Sequence, residues 1–115
     1  GTTVSYGRTW TAQKDTDIAI LPAGYADGLL RRFSPGLAVA INGSAYPVVG
    51  RICMDQCMAD IGADNKNVRR WDKAVFFGSK DGEALADAAD LAALSGTIPY
   101  EIMTGISKRV PRIVV

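Results

Sequence analysis

Short apolar runs, separated by polar segments that contain Gly or Pro, make up most of this chain. Such runs predict β-strands when they are rich in β-branched and aromatic residues and bounded by turn residues. They occupy residues 18–21, 37–41, 45–49 and 74–77, and residues 2–12 form a similar stretch. The pattern therefore predicts a domain built mainly from short strands.

One pair of these strands is predicted to form a hairpin. Asn42-Gly43-Ser44 lies between the runs 37–41 and 45–49. Asn-Gly between apolar runs is the strongest short-range hairpin signal, because both residues tolerate the backbone angles that a tight turn requires. We expect the two runs to pair as antiparallel neighbours.

The last third of the chain predicts two short helices. Asp87 precedes an apolar series that Gly96 ends, which is typical of a capped amphipathic helix. Pro99 opens a second helix, because proline is tolerated in the first turn, and Gly105 closes it. Residues 106–115 are predicted to be extended. The expected fold is mainly β, an antiparallel β-barrel or strongly bent sheet with two short helices near the C-terminus.

The stretch 49–58 mixes apolar residues with charged ones. If it is a strand, Arg51 and Asp55 share one face with Cys53 and Cys57. An unpaired charge is costly to bury, so the two charged side chains must be paired or must line a cavity. A structural role, as a buried ion pair or at a barrel rim, and a functional site are about equally good interpretations of this pattern.

The two cysteines are predicted to stay reduced. On one strand, four residues would separate Cys53 and Cys57 by about 13 Å, too far for a disulfide. They fit small buried hydrophobes in a reducing compartment. Because the chain has no histidine, two cysteines do not complete a usual zinc ligand set.

Two loops carry side chains suited to recognition. Gly7 interrupts the first strand stretch directly after Tyr6, and a glycine within a strand often marks a bulge. Residues 23–28 hold Tyr25 and Asp27 between two glycines, and binding residues often lie on such loops. For Tyr6 alone, a strand tyrosine with its hydroxyl at the surface is the more common case.

Composition narrows the class of protein. The 115 residues, 48% apolar and 22% charged, fit one soluble domain. The net charge of +1 argues against a nucleic-acid partner, and no apolar run is long enough to span a membrane. Both ends of the chain resemble strand sequence and the first residue is not Met, so a piece of a longer polypeptide is expected.

Four stretches, in this order, resemble the C-terminal domain of bacterial alanine racemases, and the resemblance covers essentially the whole chain, residues 1–115. The stretches are Val4-Ser5-Tyr6-Gly7, Gly24-Tyr25-Ala26-Asp27-Gly28, Gly50-Arg51-Ile52-Cys53-Met54-Asp55-Gln56 and Arg109-Val110-Pro111-Arg112. The resemblance implies a cytoplasmic, homodimeric isomerase that depends on pyridoxal phosphate and supplies D-alanine as a peptidoglycan precursor. It also implies a preceding (β/α)8 barrel domain that holds the cofactor on a lysine, so that this chain alone is expected to be inactive.

The resemblance assigns roles near the reacting carbon to three residues. Tyr6 is implied as the second catalytic base, which reaches into the partner subunit's site. Racemisation needs a proton removed from one face of the α-carbon and returned on the other, so a second group must approach from the opposite side. The backbone N–H of Met54 is implied to bind the carboxylate of the small amino-acid substrate. Asp55 is implied to support the site without touching the substrate.

Further residues are implied to line the route to the site. Tyr25 is implied at the inner gate of the substrate channel, with Arg31 and Arg51 in its outer layer. Where some members carry a tyrosine that touches the cofactor phosphate, this sequence has Lys108. A lysine can meet a phosphate as a point charge, so Lys108 is a candidate cofactor contact.

Two other functions stay open from the sequence. One is a non-catalytic interaction module that has the same fold. The other is a racemase for a bulkier amino acid such as serine or lysine.

Overall fold

A computed structural model of the chain describes residues 1–80, 83–84 and 86–114. Its main feature is a five-stranded antiparallel sheet that curls into a half-barrel, which confirms the predicted fold class. Within the described residues the strands are β1 (Thr3–Val4), β2 (Trp10–Thr11), β3 (Asp17–Leu21), β4 (Ala38–Ile41), β5 (Ser44–Val49), β6 (Cys57–Gly62), β7 (Ala74–Val75), β8 (Ser79–Lys80) and β9 (Glu83–Ala84). The order in the large sheet is β3-β6-β5-β4-β7, while β1 pairs with β2 and β8 with β9.

The hairpin of β4 and β5 forms where the sequence predicts it. Ile41 pairs with Ser44, so that a two-residue turn joins the strands. Asn42 and Gly43 both have positive φ, 48° and 79°, as a type I′ turn requires. The Asn42 side-chain amide also donates to the Asn67 carbonyl at 2.7 Å, which ties the turn to the following loop.

The core lies between the concave face of the sheet and the C-terminal helices. Alternate residues of β4 point inward, since Val39 and Ile41 are buried while Ala38 is exposed. A short 3₁₀ turn, Arg31–Phe33, adds Phe33, which is 1% exposed. The buried cluster comprises Leu21, Leu29, Phe33, Leu37, Val39, Ile41, Val48, Ile52, Cys57, Ala59, Leu91, Ala92 and Ile102.

Both helices begin and end at the predicted residues. Helix α1 (Ala88–Ser95) starts at Asp87, whose carboxylate accepts a hydrogen bond from the Asp90 N–H at 2.8 Å. Gly96 ends it in a left-handed conformation. Helix α2 (Pro99–Thr104) has proline in its first turn, and Gly105 follows its last residue. Among the described residues, no helix has the length and apolar character needed to cross a bilayer.

The prediction of one strand over residues 49–58 is wrong. Strand β5 ends at Val49, Gly50 turns the chain with a φ of 70°, and β6 starts only at Cys57. The segment between them is a loop that closes on itself, because the Cys53 N–H donates to the Gln56 carbonyl at 2.9 Å. Cys53 and Cys57 therefore do not share a strand.

The chain ends also differ from the simple strand interpretation. Residues 2–12 form the two short strands β1 and β2, and a 3₁₀ turn, Tyr6–Arg8, separates them at the predicted irregularity. Residues 106–114 contain no strand; the Val110 N–H donates to the Ser107 carbonyl at 3.1 Å and makes a turn there. Pro111 follows that turn.

Candidate functional site

The turn that carries Tyr6 rests on the loop after β5. The Ser5 hydroxyl donates to the Arg51 carbonyl, and its oxygen lies 3.7 Å from the Cys53 sulfur. A Cβ atom on Gly50 would lie 2.6 Å from the Ser5 Cβ, so only glycine permits this contact. Tyr6 itself is 60% exposed. Its backbone is thus anchored while its ring faces outward.

Arg51 lies beside the same turn. A Cβ atom built on Gly7 would be 3.1 Å from Nη1 of Arg51, which shows that the guanidinium passes over Gly7. Arg51 is exposed. The structure therefore brings Tyr6 and Arg51 together on one surface.

The loop 24–28 packs against the backbone on either side of Met54. The Tyr25 N–H donates to the Cys53 carbonyl at 2.9 Å, and the Ala26 N–H donates to the Met54 carbonyl at 3.0 Å. A Cβ atom on Gly24 would lie 2.2 Å from the Cys53 oxygen. Since that distance is impossible for non-bonded atoms, glycine is required at this position.

These contacts aim the Met54 N–H away from the loop 24–28. In a trans peptide the carbonyl and the N–H point in opposite directions, and the Cys53 carbonyl of this peptide is occupied by Tyr25. Among the residues that the structure describes, none accepts a hydrogen bond from the Met54 N–H. The peptide is therefore a fixed donor with capacity for an external acceptor.

Arg109 joins the C-terminal turn to both loops. Its Nη2 lies 2.8 Å from Oδ1 of Asp55, and its Nε lies 3.3 Å from Oδ1 of Asp27. The hydrogen bond that Arg109 donates to Asp55, and secondarily the charge of Asp27, raise the pKa of the Arg109 guanidinium. We call the touching segments 5–8, 24–28, 50–56 and 107–110 the motif cluster.

Arg31 lies at the edge of the motif cluster, and Lys108 lies within its C-terminal turn. Arg31 belongs to the 3₁₀ turn that precedes Ser34, and the Ser34 hydroxyl donates to the Gly50 carbonyl at 2.6 Å. Lys108 is exposed in the turn that carries Arg109. No contact that the structure describes links either side chain to Tyr6 or Met54.

The expectation that Arg51 and Asp55 sit buried in an apolar strand is wrong. Both are exposed, because the segment is a surface loop, and Asp55 pairs with Arg109. In the sequence, Arg109 belongs to one of the four family motifs and Asp27 to a loop suited to recognition. No local pattern identifies them as partners, since they are 82 residues apart in sequence and meet only through the fold.

Both cysteines, Cys53 in the motif cluster and Cys57 in the core next to it, are buried free thiols. Burial, and secondarily the electrostatic effect of the neighbouring Cys53, raise the pKa of the Cys57 thiol to about 12. Cys57 is fully buried in the core. Its environment is that of a packing residue and not of a reactive nucleophile.

Four lysine side chains that the structure describes do not have the surroundings of a covalent anchor for pyridoxal phosphate. The side chains of Lys14, Lys66, Lys73 and Lys108 are exposed, whereas an anchoring lysine needs an enclosed site. Among the described residues, no group of three acidic or cysteine side chains could hold a metal ion.

The curled sheet and its motif cluster define a small β-domain with one surface of anchored, outward-facing polar groups. The sequence matches the family described as "Alanine racemase, C-terminal domain" over residues 1–114. The chain therefore belongs to the alanine racemase C-terminal domain family, which confirms the resemblance found in the sequence.

Relatives and solved structures agree with this family. Alanine racemase of Treponema denticola is 56% identical over 114 residues, which cover 97% of this chain and 30% of that protein. The structure of alanine racemase from Bacillus anthracis with bound L-Ala-P matches all of this chain and 28% of its own, with a TM-score of 0.89 and 40% identity. The Clostridium difficile 630 enzyme in complex with cycloserine matches 96% of this chain and 28% of its own, with a TM-score of 0.84 and 39% identity. The chain thus spans about 30% of the length of its curated relatives.

Proposed function

We propose that this chain is the part of a pyridoxal-phosphate-dependent alanine racemase that supplies Tyr6 to the partner subunit's active site in a cytoplasmic homodimer. In this proposal an N-terminal barrel domain of the same protein holds the cofactor on a lysine. The Met54 N–H binds the substrate carboxylate, and Tyr25, Arg31 and Arg51 line the channel that leads to it.

The observation that carries the proposal is the combination of an anchored backbone and an exposed ring at Tyr6. Ser5 and Gly7 fix the turn against the loop that contains Arg51, yet the Tyr6 side chain is 60% exposed. A tyrosine that served the core would be packed within it. A fixed turn that presents a hydroxyl outward is instead suited to an acceptor or donor on another subunit.

The reaction explains why such a group is useful. Pyridoxal phosphate, when bound, withdraws electron density from the α-carbon and makes its proton removable. Tyr6 would hold or take that proton at its phenolic oxygen on one face of the carbon. A group outside this chain would serve the opposite face.

The Met54 N–H supports the same proposal. It is a neutral donor held by two flanking carbonyl contacts, and it points away from them. A preorganised peptide N–H of this kind binds a carboxylate without reorganisation at the moment of reaction. The substrate carboxylate would then be oriented so that the α-proton faces Tyr6.

The test is Tyr6→Phe in the full-length enzyme. The change removes one hydroxyl from an exposed side chain, so fold and cofactor absorbance should stay nearly unchanged while kcat falls at least ~10²-fold. Deuterium wash-in should then differ between the two enantiomers. The α-proton of D-alanine should still exchange, because the resemblance assigns it to the cofactor lysine, while the α-proton of L-alanine should hardly exchange.

Tyr100→Phe is the matched control. Tyr100 is also exposed, at 79%, but lies on helix α2, and its variant should keep parental turnover. A Tyr6→Phe enzyme with near-parental kcat, or one that loses exchange equally on both enantiomers with cofactor bound, would show that Tyr6 is a surface tyrosine without a role in proton transfer.

Alanine is the substrate proposed here, because the named relatives are alanine racemases. Kinetics of the full-length enzyme over alanine, serine and lysine would test this. A higher kcat/KM for serine or lysine would replace alanine as the substrate and leave the proton-transfer role of Tyr6 to be tested separately.

A further inference from the structure

One guanidinium connects three segments of the motif cluster. Arg109, in the C-terminal turn, reaches Asp27 in the loop 24–28 at 3.3 Å and Asp55 in the loop 50–56 at 2.8 Å. Because Nε and Nη2 point in different directions on a planar group, one arginine can engage two carboxylates at once. A single side chain thus closes a bridge between the loop 24–28 and the loop that contains Met54.

The Asp27 side of this bridge is fixed by other contacts too. Oδ2 of Asp27 accepts a hydrogen bond from the Gly24 N–H at 2.9 Å, and the backbone carbonyl of Asp27 accepts one from the Ser107 N–H at 3.0 Å. Its side chain is only 17% exposed. Asp27 therefore provides a fixed point from which Arg109 extends.

The Asp55 side depends on Arg109. Asp55 is 61% exposed, and within the described part of the chain Arg109 is the side chain that pairs with its carboxylate. Asp55 directly follows Met54. A movement of the Asp55 side chain therefore shifts the peptide next to the one that carries the Met54 N–H. Loss of Arg109 would free this end of the loop.

Charge adds to geometry at this position. Asp27 and Asp55 carry two negative charges, which Arg109 reduces to a net charge of −1 in the cluster of three. Without the guanidinium, two neighbouring carboxylates would repel each other and would also disfavour an anionic ligand at the nearby N–H. A guanidinium keeps its charge at every working pH, and both carboxylates raise its pKa further.

We propose that Arg109 is a positioning residue for substrate binding, which holds the Met54 N–H in its aimed orientation by bridging Asp27 and Asp55. This inference rests on the proposed function, since it takes the Met54 N–H as the donor to the substrate carboxylate. Arg109 acts through the two aspartates and does not itself touch the substrate.

The experiment compares Arg109→Ala, Arg109→Lys and Asp55→Asn in the full-length enzyme. Arg109→Ala should raise KM for alanine by about 3- to 10-fold with a smaller change in kcat, the range that loss of two partly exposed ion pairs allows. Arg109→Lys should recover part of the loss, because an ammonium can meet one carboxylate but cannot bridge two in the same way. The Arg109→Ala/Asp55→Asn double variant should raise KM by less than the product of the two single-variant fold-increases, since both changes break the same contact.

Arg70→Ala is the matched control, because Arg70 is exposed and lies over Trp71 rather than in the motif cluster. It should leave KM unchanged. Thermal unfolding of every variant gives the second measurement. If Arg109→Ala lowers Tm while KM, measured below Tm, stays parental, Arg109 is structural and the inference is overturned. The inference is also overturned if the KM effects of the two single variants multiply independently in the double variant. Tyr6→Phe distinguishes the two proposals. If Tyr6→Phe keeps the parental kcat, the proposed function is contradicted. If Tyr6→Phe loses kcat but Arg109→Ala keeps the parental KM, only the positioning role is contradicted.

Discussion

Single residues of the motif cluster determine how its backbone segments fit together. Ser5, Gly24 and Gly50 determine how closely three segments approach, and the outward groups, the Tyr6 ring and the Met54 N–H, project from that frame. Side-chain chemistry and backbone geometry are therefore separable here. A change that leaves the frame intact reports on chemistry, as Tyr6→Phe does.

Cys57 gives a residue-scale prediction about pH. The folded thiol keeps its proton up to about pH 12, whereas the unfolded thiol ionises around its ordinary pKa of 9.0. Between these values the unfolded state binds fewer protons, so the free energy of unfolding should fall as pH rises. Below pH 9.0 the Cys57 thiol is protonated in both states, so this loss of stability is absent.

Chemical denaturation at pH 8 and pH 10.5 measures the effect, with Cys57→Ala as the matched variant. Parent and variant should both lose stability from other titrating groups, and the parent should lose more. Iodoacetamide at pH 8.5 should also spare Cys57 in the native state and modify it in denaturant. Equal pH slopes, together with rapid native alkylation, would contradict the buried neutral thiol.

At the scale of elements, helix α1 is stabilised by its capping residues. The Asp87 carboxylate accepts from the Asp90 N–H, and the Asp90 carboxylate accepts from the Asp87 N–H, each at 2.8 Å. Such a reciprocal pair satisfies two backbone donors that the helix itself leaves open. The helix contributes Leu91 and Ala92 to the core.

Asp87→Ala should therefore destabilise the domain by about 1 kcal/mol. Asp87→Asn retains a side-chain oxygen at the cap and should cost much less, which makes it the control. Urea denaturation of both variants measures the difference. If the alanine and asparagine variants are equally stable, the capping contact does not stabilise the helix.

The elements that the sequence predicts well are those with local causes. The Asn42-Gly43 turn and the helix limits at Asp87 and Gly96 depend on residues within a few positions, so the pattern is sufficient. Residues 49–58 look like a strand because they are apolar, but Gly50 turns them out of the sheet against Ser5. That contact spans 45 positions, and no local pattern contains it.

The candidate site follows the same rule. Tyr6 and Met54 were identified from motifs whose order resembles a family, not from any physical pattern of their own. The Arg109 bridge was not predicted, because a guanidinium between two carboxylates depends on how three distant turns meet. The sequence identifies the segments, and the fold determines which groups within them touch.

At the scale of the whole molecule, the chain presents half of a site under the proposed function. Its motif cluster offers donors and a phenol on one surface, but the lysine side chains that the structure describes, those of Lys14, Lys66, Lys73 and Lys108, are exposed and unsuited to a covalent cofactor bond. The isolated chain of residues 1–115 should therefore neither bind pyridoxal phosphate tightly nor racemise alanine. Absorbance titration with the cofactor and a coupled assay for D-alanine would measure both, and turnover by the purified chain would contradict the division of the site between domains.

A peptide N–H as the carboxylate donor has a consequence for drug resistance. Every residue except proline carries that N–H, so under the proposed function no ordinary substitution at position 54 deletes it. An inhibitor that anchors its carboxylate on this peptide would be difficult to evade by a mutation at the contact itself. Escape would have to come from the segments that aim the peptide, and there Gly24 has no room for even one additional carbon atom.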